Sequence, residues 1–211
     1  MVLSNVHSNR VGIILFLLVL LLLVPRAAGS QEAKVYSNTI GTVSNYQKPG
    51  AGIFVSDDVT LPDSASVTKV EILTTSSGAS PYTVTVSLIA GDPCVGTPPQ
   101  IPFSSKVFPG ILPGNPEVLI ATYSPTLRVP ANFSVKVVFT DSNAGWAVAE
   151  VPEMGSSADR ICVDQTGGGG NPGYLNLGSL EASMWIEIWA DASTPVLPRS
   201  WGLLKERYLD P

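Results

Sequence analysis

Histidine is nearly missing from this chain: the only one in 211 residues is His7, inside an N-terminal stretch that reads as a removable leader. Without it the remaining chain has no route to Ser-His-Asp or Cys-His nucleophilic catalysis, histidine-ligated zinc or copper, or histidine pH switching. Charge is also scarce. Only 14% of residues are charged, the formal balance is −5, and no Lys/Arg cluster occurs, which is the wrong footprint for nucleic acid or for an anionic membrane surface. Cysteine is limited to Cys94 and Cys162, with no C-x-x-C spacing, so neither thiol is expected to be catalytic. The glycine run from Gly167 to Gly170 is not followed by Lys-Ser/Thr or a helix start, which excludes a phosphate loop.

What the chain does have is a leader pattern. Arg10 precedes a 14-residue apolar run, Val11 to Val24, and the small residues Ala27-Ala28-Gly29 follow Pro25-Arg26. This predicts a signal peptide over 1–29. As a helix the run would span about 21 Å, short of the roughly 30 Å hydrocarbon layer, so no membrane span is expected after cleavage. Loss of Arg10 and Arg26 takes the formal charge to about −7. In an exported protein an isolated cysteine pair reads most economically as one disulfide, Cys94 with Cys162.

Apolar and polar residues alternate with period two from about Val35 to Ala190. The clearest strand is Tyr82 to Ala90, with Tyr82, Val84, Val86 and Leu88 on one face and Thr83, Thr85 and Ser87 on the other. Phe133 to Thr140 repeats the pattern. Further strands are expected near 34–40, 52–55, 67–73, 117–123, 146–151, 160–164 and 184–190, separated by turns such as Gly91-Asp92-Pro93 and Pro113-Gly114-Asn115-Pro116. Short alternating strands without helices between them predict an all-β, antiparallel two-sheet sandwich over 30–192. A jelly-roll-like arrangement is favoured, with an immunoglobulin-like topology as the alternative. Beyond it, Thr194 to Pro198 reads as a stiff linker. Ser200 to Leu209 reads as a short C-terminal helix whose Trp201, Leu204 and Tyr208 form a docking stripe.

Two groups of side chains could carry recognition. In the strand near residue 187, Met184, Ile186 and Ile188 point one way, and Trp185, Glu187 and Trp189 point the other. If the aliphatic face is core, two tryptophans flanked by carboxylates form a platform of the kind used to stack sugars, with Trp146 as a further contributor. Acidic and amide residues at Asp57, Asp58 and Asp63, and at Asp141 with Asn143, are candidate ligands for a structural calcium, though none follows the spaced calcium-loop pattern. No other cofactor is expected. Glu150 and Glu153 could be imagined as a glycosidase pair, but Pro152 breaks the strand between them.

From Val67 to Trp189 the chain resembles a loosely defined group of secreted bacterial β-sandwich modules. The resemblance rests on the strand Val84 to Leu88 running into Gly91-Asp92-Pro93-Cys94, on Val129-Pro130-Ala131, on Gly145-Trp146 and on Ser156-Ser157-Ala158-Asp159. The end, Ser200-Trp201-Gly202-Leu203-Leu204-Lys205 with Tyr208, resembles a short terminal tail of exported proteins in some Gram-negative lineages; Leu209-Asp210-Pro211 stands where that tail is usually basic. The resemblance implies export, sorting and no catalytic residue. The expectation is therefore a non-enzymatic, exported sandwich with a structural or adhesive role and a polysaccharide or surface protein as partner. The alternative is a carbohydrate-binding module using Trp185, Glu187, Trp189 and Trp146.

Overall fold

Throughout the computed structural model, which describes residues 31–39, 45–149, 152–157, 160–164, 172–176 and 183–191, the alternating segments are strands, and no described residue is helical. In chain order they are β1 (Glu32–Asn38), β2 (Asn45–Gln47), β3 (Phe54–Thr60), β4 (Ala65–Ser76), β5 (Tyr82–Ile89), β6 (Lys106–Ile111), β7 (Glu117–Val129), β8 (Asn132–Phe139), β9 (Ala144–Ala149), β10 (Arg160–Val163), β11 (Gly173–Asn176), β12 (Ser183–Met184) and β13 (Ile186–Asp191). They form two antiparallel sheets. The first runs β1-β13-β4-β9-β12, with β2 added to β9 and β7 added to β4; the second runs β11-β10-β3-β8-β5-β6. The expected two-sheet sandwich is thus the fold. The leader, the linker and the C-terminal helix with Trp201, Leu204 and Tyr208 lie outside the described residues, and no described helix is long and apolar enough to cross a membrane.

The core lies between the sheets. One sheet contributes Val67, Val70, Ile72, Ile186 and Ile188; the other contributes Val84, Val86, Leu88, Val135 and Val137, all at most 1% exposed. Each such side chain is worth about 1.5–3 kcal/mol when removed from water. All but Leu88 are β-branched, a shape that suits a pleated surface, which is why the period-two pattern and the strands coincide.

Two further ties fasten the sandwich, one within the second sheet and one between the two sheets. The Cys94–Cys162 disulfide joins the loop after β5 to β10 across 68 positions of sequence. Elsewhere the segment 152–157 bonds to both sheets. Ser37 of β1 donates its N–H to the Met154 carbonyl at 3.2 Å, and Thr60 of β3 exchanges backbone bonds with Ser156 at 2.8 and 3.1 Å. Gly155, at φ +78°, lets this clasp lie against the Tyr36 ring, where an added Cβ would stand 2.6 Å from a ring carbon.

Candidate functional site

Beneath the clasp is a buried carboxylate. In β3, Val55, Asp57 and Val59 share the inward face, so Asp57, 1% exposed, projects between the sheets. Its Oδ2 accepts from the Ser183 hydroxyl at 2.5 Å and from the Met184 N–H at 2.7 Å, both in β12 of the opposite sheet. Its Oδ1 accepts from Ser157 Oγ at 3.2 Å. The Tyr36 hydroxyl is buried beside these groups without a well-formed hydrogen bond. Burial pushes the Asp57 carboxyl up to about 7, against the three protein donors that favour its charged form and with Asp58 adding to the rise. Burial likewise raises Tyr36.

This geometry does not suit the calcium site nominated from the sequence. Asp57 is turned inward onto protein donors, whereas Asp58 is on the opposite face of β3, and Asp63 is exposed in the turn that follows. Asp141 and Asn143 are spent on a turn. Asp141 accepts from Ser76 Oγ at 2.5 Å and from the Asn143 N–H at 3.0 Å, bonds that hold its carboxyl below the usual range. Among the described residues one cluster of three metal-capable side chains occurs, Asp92 with Cys94 and Cys162, and its two sulfurs are consumed by the disulfide. Asp92 itself accepts from the Tyr174 hydroxyl.

The solvent-facing candidate is the outer face of the first sheet, around β13. As expected, Met184, Ile186 and Ile188 are fully buried while Trp185, Glu187 and Trp189 are half-buried on the other face. What surrounds Trp189 depends on register. Lys34 of β1 and Lys69 of β4 are its Cα partners on either side, and their ammonium groups lie 5.3 and 4.2 Å from the indole centroid. Lys34 pairs with Glu187 at 2.5 Å and Lys69 with Glu71 at 2.7 Å. The indole Nε1 is buried without a partner.

The two-tryptophan platform is therefore interrupted. Trp185 stands four residues from Trp189, about 13 Å along the strand, with the Lys34–Glu187 pair between them. A flat ligand reaching the Trp189 ring must share it with a lysine. Trp146 does not belong to this surface at all: it is 0% exposed, and its Nε1 donates to the Trp185 carbonyl at 2.9 Å, locking β9 to the β12–β13 junction. Glu150 lies outside the described residues, and Glu153 is exposed in the clasp.

Three residues of the Trp189 array, Lys34, Lys69 and Glu71, were not nominated from the sequence, because only strand pairing brings them to the indole. Asp57 carried a readable signal. Extending the alternation of β3 past Val55 puts a carboxylate on the same face as Val55 and Val59. No protein-family model matches the chain, and no curated protein matches it.

Proposed function

We propose that this chain is an exported, non-enzymatic β-sandwich with a structural or adhesive role at the cell surface or outside the cell. The observation that carries the reading is the contrast between its two polar sites. Among the described residues the strongly perturbed carboxylate, Asp57, is sealed between the sheets and tied to protein donors, whereas the Trp189 array lies half-buried on the outer face of its sheet. The Cys94–Cys162 bond and the leader pattern of residues 1–29 support passage to an oxidising compartment. Similarity to secreted bacterial β-sandwich surface modules supports surface display. Labelling intact cells with a membrane-impermeant amine reagent tests the reading: the lysines of this protein should be modified before lysis, and modification only after lysis would contradict display.

A second reading is a carbohydrate-binding module. It is favoured by one observation, the half-buried Trp189 whose unpartnered Nε1 is ringed by charged side chains. It predicts that Trp189→Ala lowers retention on polysaccharide columns at least about tenfold, the scale of losing one aromatic anchor, with an unchanged melting transition. Equal retention by the variant would remove the site.

A further inference from the structure

The outer face of the second sheet carries an oxygen-lined hollow. Ser56 and Asp58 of β3 alternate with the inward Val55 and Asp57 and so face outward. Register places Cys162 of β10 beside Ser56, and Ser134 of β8 beside Asp58. The disulfide then brings the loop that holds Asp92 and Cys94 over this face, and β11 sets Tyr174 opposite Cys162. Ser56, Asp58, Asp92, Ser134, Tyr174 and Cys162 together line a space of about 160 Å³. All but the cysteine bring a side-chain oxygen, and two of those groups are carboxylates. Ser56 is the telling member: it is 1% exposed, and its Oγ has no hydrogen-bond partner among the described residues. A buried hydroxyl left unmade is costly, so an atom of this kind points to an occupant.

The neighbouring groups define what that occupant is. Ser134 donates its hydroxyl proton to the Gly91 carbonyl at 2.7 Å, and Tyr174 donates to Asp92, so what both can offer an occupant is oxygen lone pairs. Asp92 is fixed in place by the Cys94 N–H, which donates to its Oδ1 at 2.8 Å. Lys136, opposite Ser56 in β8, has its ammonium 4.5 Å from the centroid of Phe54, on the side of Ser56 away from Asp58. The space is too tight for a water molecule. A calcium ion asks for less room, because its ligand oxygens stand at about 2.3–2.6 Å, against about 2.7–2.8 Å between hydrogen-bonded oxygens. We propose that the hollow is a calcium site, with Asp58 and Asp92 supplying the charge and Ser56, Ser134 and Tyr174 the neutral oxygens. Calcium accepts irregular shells of about six to eight oxygens, whereas magnesium demands a near-octahedral shell and keeps several waters. One side of the hollow opens to solvent, where water completes the shell. Bound there, the ion ties the disulfide loop to β3, β8 and β11.

Calcium itself is the probe. The disulfide-bonded chain, stripped with a chelator, should show a saturable rise in melting temperature on addition of calcium chloride, with a midpoint of about 0.1–1 mM, and magnesium should not reproduce it. Asp58→Asn and Asp92→Asn should each raise that midpoint at least about tenfold. Asp92→Asn keeps an acceptor for Tyr174 and Cys94, so it should fold. Ser56→Ala should weaken binding severalfold while leaving the calcium-free melting temperature unchanged or higher, because it removes an unpaired hydroxyl; a lower calcium-free value with unchanged calcium binding would make Ser56 a packing residue and strike it from the site. Asp63→Asn, exposed in the turn after β3, should bind as the parent does. Absence of any calcium-dependent shift up to about 10 mM, or Asp58→Asn and Asp92→Asn variants that bind as tightly as the parent, overturns the site. A loss in Asp63→Asn equal to theirs overturns its location.

Discussion

Asp57 is a carboxylate set into an aliphatic wall, and its effect on stability has a definite sign. Unfolded, it titrates near 3.9; folded, burial holds it at about 7. Between those values the unfolded chain has released a proton that the folded chain still binds. The stability due to the protonated group is therefore complete below about pH 4, is lost as pH rises through 7, and does not change further above that. The loss is on the order of a few kcal/mol. Asp57→Asn keeps an acceptor for Ser183 and Met184 without the charge. It should abolish the decline, making the variant the more stable form above pH 7 in urea unfolding curves. A variant with the parent's slope would show that another group titrates. Asp57→Ala should likewise remove the decline, but below about pH 4 it should cost roughly 1–3 kcal/mol, because the Met184 N–H and the Ser183 hydroxyl lose their acceptor in a dry site. Gly155 is the other residue on which this corner depends. Gly155→Ala puts a methyl 2.6 Å from the Tyr36 ring and 3.1 Å from the Thr60 carbonyl at a left-handed φ. A loss of about 2 kcal/mol is expected in thermal or urea unfolding.

At the scale of elements, the strands that alternation reveals are those whose two faces differ. β4, β5, β8 and β13 have buried and half-exposed residues in strict turn over most of their length, and all four stand near the middle of their sheets. β6 offers no alternation to read, because Pro109 and Gly110 sit inside it and only one of its six residues is buried. β2 and β11, three and four residues long, offer too few positions for a period to register. Faces were thus legible while neighbours were not. Trp189 reads as outward from its own strand, but Lys34 and Lys69 reach it through pairings 153 or more and about 120 positions apart in sequence, which no local pattern encodes. The contrast between central and edge strands also sets mutational cost. Ile188→Ala in β13, at 0% exposure, should destabilise by about 2–5 kcal/mol, whereas Val107→Ala in β6, at 61% exposure, should stay within about 0.5 kcal/mol. Similar losses at both positions would mean that β6 is covered in solution.

For the whole molecule, three ties join the parts: the aliphatic core, the Asp57 network between β3 and β12, and the Cys94–Cys162 bond. The last acts mainly on the unfolded chain. Closing 68 residues is worth about 4 kcal/mol in the loop-entropy picture, so replacing both cysteines by serine should lower unfolding free energy by about that amount. A double-serine form as stable as the parent would reduce the bond to a local pin. The composition that pointed to a sandwich, rich in β-branched residues and poor in charge, leaves function to the surface and compartment to the proposed leader over 1–29 and the cysteines. The most direct test of that account is the intact mass of the protein recovered from its native host. A species beginning at Ser30 and lighter by two hydrogens than the reduced chain, found outside the cytoplasm, is the predicted result. A cytoplasmic species that retains residues 1–29 with both thiols free would contradict it.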